Sequence, residues 1–300
     1  MNFPIAWRLG LVLVLVGSLG TGLTGYFAYQ ASRTQLLKAS EERLLTATSV
    51  LMRQVTVALD GIKADTQLLA HHPQALRILL RSDPTDFRVA TERNTALLFE
   101  GMMQVHPEYF QMRLIEAGHH GQERVRVDRG TGGLLHIEGD ALQEKSHLPY
   151  VFETLRLPPG AFYVSRAMIN HEVGVHAGEL RPSLQVAAPI HDPQGVAIGL
   201  VVVNVDLHSL FSQLAADLPP ELKLYLANGR GDYLIHPDPS RSFAFDRGES
   251  ALIQDEFPAT DALLQDAPVR ATHLVTASQP DAPEALGEFG HLFANEPERI

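Results

Sequence analysis

The sequence predicts an α+β fold carried on an N-terminal transmembrane helix, and three observations support that class. Residues 9–29 contain no Asp, Glu, Lys, Arg or His. Residues 31–70 then hold no proline and a single glycine, Gly61, as a long helix requires. From Tyr109 onward the apolar pattern changes to two-residue alternation, interrupted by glycine- and proline-bearing turns.

Composition narrows the function classes. A chain of 300 residues accommodates about two domains of ordinary size. Hydrophobic residues make up 45% and charged residues 20%, the balance of a folded protein rather than a disordered one. Against 24 Lys and Arg stand 35 Asp and Glu, a net charge of −11 that argues against nucleic acid as a partner. With no cysteine, disulfides, thiolate zinc sites and cysteine nucleophiles are excluded, while either redox compartment remains open.

The N-terminal stretch admits three readings: an uncleaved anchor, a cleavable signal peptide and a buried core helix. At about 1.5 Å per residue, some 20 apolar residues cross a hydrocarbon core of about 30 Å, which residues 9–29 satisfy. A signal peptide has a shorter apolar core, a more basic start and a small-x-small cleavage site. Here only Arg8 and the amino terminus are basic, and Trp7 and Tyr26, Phe27 and Tyr29 flank the span as interfacial aromatics do. The anchor reading is favoured. Arg33, Lys38 and Arg43 weaken the positive-inside argument, yet the short tail favours residues 1–8 in the cytoplasm and residues from 30 onward outside it.

Within residues 31–70, Leu37, Leu44 and Leu51 recur every seven residues, and Val55, Ile62 and Leu69 repeat the spacing after a step of four. Two accounts stand: one stripe packed on the chain's own domain, or a homodimer seam in the membrane-near half. His71-His72-Pro73 ends this helix, because the residue before proline avoids helical geometry. Further helices are expected over 74–81 and 84–106, the second opened by Ser82-Asp83-Pro84.

Residues 110–115 alternate as a strand, residues 116–121 have turn chemistry, and residues 123–129 return as a second strand. Alternation places Val125 and Val127 on one face, and Arg124, Arg126 and Asp128 on the other. Strands are also expected at 161–165, 183–190 and 197–205, with Asp192-Pro193-Gln194-Gly195 turning between the last two. A helix over 208–216 and the Leu218-Pro219-Pro220 break follow. Strand, glycine turn and strand then recur at 222–236 in shortened form.

At these residues the chain resembles the extracytoplasmic double Cache sensor regions of bacterial histidine kinases, diguanylate cyclases and chemoreceptors. The matching runs are YFQMRLIEAGHHGQERVRVDR, residues 145–150 followed by FYVSRAMIN, SLQVAAPIHDPQGVAIGLVVVNVDL and LKLYLANGRGDYLIHPDPS. The resemblance implies two PAS-like antiparallel modules: residues 30–217 as the long helix plus a membrane-distal module, and residues 218–300 as an incomplete membrane-proximal one. It also implies a small polar or anionic ligand in the distal module and a homodimer through the long helix. Amino-acid-binding members carry an Arg…Trp-Tyr signature and a later Asp; the matching places here are Lys145, Pro149-Tyr150 and Asn170, so Trp and Asp are missing. With no second span or output domain after the second module, the sequence reads as the front part of a receptor whose full-length relatives carry a kinase or cyclase domain.

The candidate ligand residues are therefore Arg124, Arg126, Asp128, Lys145, Tyr150, Tyr163, Ser165 and Asn170. Guanidinium forks suit carboxylates, and tyrosine and serine add hydroxyls. Each also has a plainer role: ion pairing on a strand face for the three charged residues, core packing for the tyrosines, a turn cap for Asn170. On the pocket reading, Arg126→Ala weakens ligand binding without unfolding the domain. No catalytic residue, cofactor or metal site is expected. His171 and His176 are five apart across a glycine, whereas a zinc-protease motif needs them four apart on a helix. The pairs His71-His72 and His119-His120 lack a carboxylate at ligand spacing, and Gly130-Thr131-Gly132-Gly133 lacks the Lys and following helix of a phosphate loop. The function so implied is a membrane-anchored sensor of small molecules; the alternative is an anchored module that recognises a partner protein.

Overall fold

The computed structural model describes residues 5–80, 85–170, 181–216, 218–219, 222–261, 264, 273–275 and 284–286. The chain divides into two compact units: residues 1–50 with 270–288, and residues 51–269 with 289–300.

Helix α1 runs from Ile5 to Ala70, through Gly61, and stops before Pro73 as expected. Among the described residues it is the one helix long and apolar enough to cross a membrane, and its apolar window is fully exposed. Helices α2 (Pro73–Leu80) and α3 (Thr85–Val105) follow; the Ser82-Asp83-Pro84 signal lies outside the described residues. The sheet comprises β1 (Tyr109–Glu116), β2 (Glu123–Gly130), β3 (Gly133–Ile137), β4 (Tyr163–Val164), β5 (Met168–Ile169), β6 (Pro182–His191) and β7 (Ala197–Asp206). Between β3 and β4 lies α4 (Pro149–Thr154), and α5 (Leu207–Ala215) follows β7. Then come β8 (Leu226–Ala227), β9 (Tyr233–Ile235) and α6 (Ile253–Glu256).

The strands pair antiparallel in the order β3-β2-β1-β7-β6-β4, with β5 also on β6. Met112, Leu114, Val125, Val127, Val201 and Val203 form one apolar face, packed with Val55, Leu59, Ile62 and Leu69 of α1, Ile78 of α2 and Phe99 and Met103 of α3. Each such side chain contributes about 1.5–3 kcal/mol by leaving water. Val55, Ile62 and Leu69, the second heptad series, thus pack on the chain's own sheet. Leu37, of the first series, stays exposed.

Tyr109 anchors the sheet to α1: its hydroxyl donates to Asp65 at 2.7 Å, and burial followed by that bond pushes the phenol far above its usual range. The β1–β7 register shifts between Tyr109 and Gln111, and the buried Phe110 ring lies under the Arg181 guanidinium, 5.2 Å from it.

Sequence reasoning missed four strands, and also the short helices α4 and α6. Strand β3 completes a tight hairpin at Gly130-Thr131-Gly132-Gly133, where Gly133 holds φ 128°. Strand β5 and the pair β10 (His273–Val275) and β11 (Glu284–Leu286) span only two or three residues, too few for a period to register.

Candidate ligand-binding site

The second face of the sheet carries the polar chemistry. Strand alternation and cross-strand register place Asp128, Gln111, Asn204 and Gln185 in one row across β2, β1, β7 and β6. The next row holds Arg126, Arg113, Val202, Ala187 and Tyr163. On the β2–β1 side these polar groups bond to one another. Arg126 grips Asp128 with Nε at 3.0 Å and Nη2 at 2.7 Å, and lies 3.4 Å from Glu123. Gln111 donates to Asp128 at 2.8 Å, Asn204 donates to Gln111 at 3.2 Å, and Arg113 donates to Asn204 at 3.0 Å. Arg113 also stands 3.6 Å from Glu123. Arg113, Arg126, Glu123 and Asp128 are all buried, so two cations face two anions in a dry interior. Burial works against the charge of Arg126, but its hydrogen bonds to Asp128 and the charges of Asp128 and Glu123 together outweigh it and raise its pKa above the ordinary guanidinium value.

Arg124 does not share this face. The β1–β2 register shifts between Leu114 and Ile115, so Ile115 lies opposite Glu123 and Arg124 is the extra residue of a bulge. Its guanidinium instead donates to Glu92 of α3 at 2.9 Å. The sequence reading put Arg124 beside Arg126; the bulge puts Glu123 there.

On the β6–β4 side the same face opens into a cavity of about 650 Å³. Lys145, Tyr150, Tyr163, Ser165 and Asn170 all line it, together with Gln185 and Arg166. Five of the eight sequence candidates therefore meet around one space, while Arg124, Arg126 and Asp128 lie outside its wall. Lys145 is 4% exposed, and among the described residues the one carboxylate on the wall is the exposed Glu144.

Local geometry explains how Lys145 reaches this position. His119, His120 and Gly121 all adopt positive φ, turning the chain so that Gly121 and His120 present their carbonyls to a later segment. Lys145 N–H donates to Gly121 O at 2.9 Å and Ser146 N–H to His120 O at 3.0 Å. Glu123 accepts from Gln143 N–H at 3.0 Å, which ties the cavity wall to the ion network. Pro149 then opens α4, delivering Tyr150 into the cavity wall. The Arg113 guanidinium sits 4.9 Å from the Tyr150 ring centroid, so this ring separates the ion network from the cavity. On the far wall, Ser165 Oγ accepts from Gln185 N–H at 2.9 Å and donates to Arg166 O at 2.9 Å. Asn170 N–H pairs with Arg181 O, and His171 through His176 lie outside the described residues.

Gln111, Arg113, Glu123, Asn204 and Gln185 were missed as site or network residues. Their signal was present: Gln111 and Arg113 alternate with Met112 and Leu114, and Asn204 and Gln185 interrupt otherwise apolar strands. A polar residue in a buried strand marks a satisfied network or a cavity.

With this arrangement in view, the family is defined. The family model described as the bacterial histidine kinase sensor domain matches residues 62–260, and the chain belongs to that family. It is a sensor domain, the input module of a signal-transduction receptor. Among solved structures, the extracellular domain described as that of histidine kinase vpHK1S-Z8 is similar with TM-score 0.64 at 19% identity, over 79% of this chain and 84% of the other. A domain of a sensory box/GGDEF family protein from Vibrio parahaemolyticus is similar with TM-score 0.64 at 19% identity, over 78% and 86%. The ligand-binding domain of the Campylobacter jejuni chemoreceptor Tlp3, in complex with L-valine, is similar with TM-score 0.52 at 13% identity, over 76% and 82%. At these identities the likeness is one of fold. A comparison with curated protein sequences finds no significant match.

Proposed function

We propose that this chain is the extracytoplasmic ligand sensor of a bacterial membrane receptor, and that its ligand is a small molecule bearing a carboxylate. The observation that carries this reading is the convergence of Lys145, Tyr150, Tyr163, Ser165 and Asn170 on one cavity of about 650 Å³. An ammonium and the two tyrosine hydroxyls suit a carboxylate, with the carboxamides of Asn170 and Gln185 left for a polar tail. An α-amino acid is disfavoured because Asn170 stands where a ligand ammonium would need an acid. Arg126 and Asp128 serve the fold through their ion network, and Arg124 serves the α3 contact.

In the same reading, residues 9–29 anchor the chain, residues 30–217 form the sensing module, residues 218–300 form the membrane-proximal one, and the output is a kinase, cyclase or chemotaxis domain. Ligand binding biases the packing of the sheet on α1 by no more than its differential affinity for two states. The exposed Leu37 supports pairing of α1 with a second copy. Because the chain lacks cysteine, Leu37→Cys tests that pairing cleanly: an oxidised covalent dimer is expected, and a persistent monomer rejects it.

A thermal-shift screen of the full chain in nanodiscs, using small mono- and dicarboxylates beside their amides, tests the ligand class. Carboxylates should raise the melting temperature by binding the native state, and Lys145→Met should abolish the shift. Equal shifts from the amides reject the class. Silence across the panel favours the partner-protein reading.

A further inference from the structure

A second cavity, of about 670 Å³, lies between α5, the β5–β6 edge and the β8–β9 segment, entirely within residues 51–269. We propose that it is a separate binding site for a carboxylate with an apolar body, such as an aromatic or branched aliphatic acid. This goes beyond the sensing cavity, with which it shares only the β5 residue Ile169 among the wall residues named here.

Its floor is apolar, from Phe211, Leu234 and Phe243, all buried. Among the described residues its polar wall carries two guanidinium groups, Arg181 and Arg247, and the imidazoles of His208 and His236 against one acid, Asp206. In a chain of net charge −11, that local balance runs against the average. Asp206 is already committed. It accepts from the N–H groups of His208 at 2.9 Å and Ser209 at 3.2 Å, capping α5, and it lies 3.5 Å from Arg181. The α5 N-terminus is thus closed to a ligand, and anion recognition falls to side chains. Arg247 suits that role: of the five donors on a guanidinium, it directs Nη1 to Ser242 O at 3.1 Å and Nη2 to Ser240 O. Those two bonds fix the head group against the β9-following turn while other donors remain. Its carboxylate neighbour Glu249 is 3.8 Å away and largely exposed. A ligand carboxylate placed between Arg247 and Arg181 would set its body over Phe211 and Phe243, where burial adds affinity.

The test uses benzoate and 4-methylpentanoate with the full chain in nanodiscs, read by ligand-observed NMR titration, and benzamide as the neutral control. The acids should bind and benzamide should not. Arg247→Gln should weaken binding about tenfold or more, the loss expected for a charge-assisted hydrogen bond. Ser212→Trp, which places an indole from the outer face of α5 into the cavity, should block binding without touching the charge. In a Lys145→Met background, which removes carboxylate binding at the other cavity, the acids should still bind and Arg247→Gln should still weaken them. The proposal is overturned if neither acid binds, if benzamide binds equally, or if Lys145→Met removes binding while Arg247→Gln and Ser212→Trp retain it.

Discussion

Two halves of one sheet face handle charge in opposite ways. On β2 and β1, Arg113, Arg126, Glu123 and Asp128 are buried against each other, and Gln111 and Asn204 add hydrogen bonds to Asp128 and from Arg113. On β6 and β4 the face opens around Lys145, with hydroxyls and carboxamides but, among the described lining residues, no buried carboxylate. A closed network holds a fold together by mutual compensation, whereas a polar side chain on the wall of an open cavity can also meet a ligand. Tyr150 stands between the halves, stacked by Arg113 on one side and lining the cavity on the other.

The largest effect should come from breaking the closed half. Arg126→Ala leaves Asp128 and Glu123 buried without their main cation, a loss of about 3–5 kcal/mol in chemical denaturation. This replaces the expectation from sequence that the variant would lose ligand while keeping its stability. If Arg126→Ala folds as well as the parent and fails only to bind a carboxylate, the division drawn here is wrong.

In the open half, Lys145→Met should show the opposite signature. Calorimetric affinity for a carboxylate should fall about 10–100-fold, equivalent to about 1.5–3 kcal/mol for a bond to a charged group. Stability should fall less than in Arg126→Ala, because Lys145 stands on the cavity wall and not among the four buried charges of the network. Matched losses of stability and affinity would make Lys145 another member of the closed network.

Gly121→Ala probes the support beneath Lys145. A Cβ there would sit 2.6 Å from Ser146 N and 2.9 Å from its Cα, at a φ of 70° that side chains avoid. Backbone must move, so about 1–3 kcal/mol of stability should be lost, with a further drop in ligand affinity beyond that of a distant variant equally destabilised. Equal affinity in the two would show that the Gly121–Lys145 bond positions nothing.

The fold was legible where elements are long. Residues 110–115 and 123–129 announce their hairpin by alternation, and Val55, Ile62 and Leu69 announce a packed helix by spacing. The convergence of Lys145, Tyr150 and Asn170 was legible only through family resemblance, because a loop and a six-residue helix carry no period. The misplacement of Arg124 has a local cause: alternation assumes an unbroken ladder, and one bulged residue inverts the side beyond it. The pairing of Arg126 with Asp128 was open to sequence, since both lie on one face of β2, whereas Gln111, Arg113 and Asn204, which close the network, come from β1 and β7.

The smallest expected effect concerns a third charge cluster, half-exposed rather than buried, which shows what the closed network would be worth in contact with water. Burial pushes the Glu256 carboxyl up, but hydrogen bonds from His236 and Arg241, the Arg241 charge and the Tyr233 hydroxyl outweigh it and hold it below the usual carboxylate range. A depressed folded pKa means the group stabilises the fold above its unfolded pKa, about 4.3, and loses that contribution as pH falls through the folded value. Glu256→Gln should therefore lower stability slightly at neutral pH and converge with the parent once Glu256 is protonated. The difference between their urea midpoints should be constant from about pH 7 to pH 5 and shrink below about pH 4.3. Solvent screening keeps this difference well under that of Arg126→Ala, although both clusters join arginine to carboxylate. A Glu256→Gln loss as large as the Arg126→Ala loss would mean that burial is not what separates the two clusters, and the distinction between the sheet's halves would then need another physical cause.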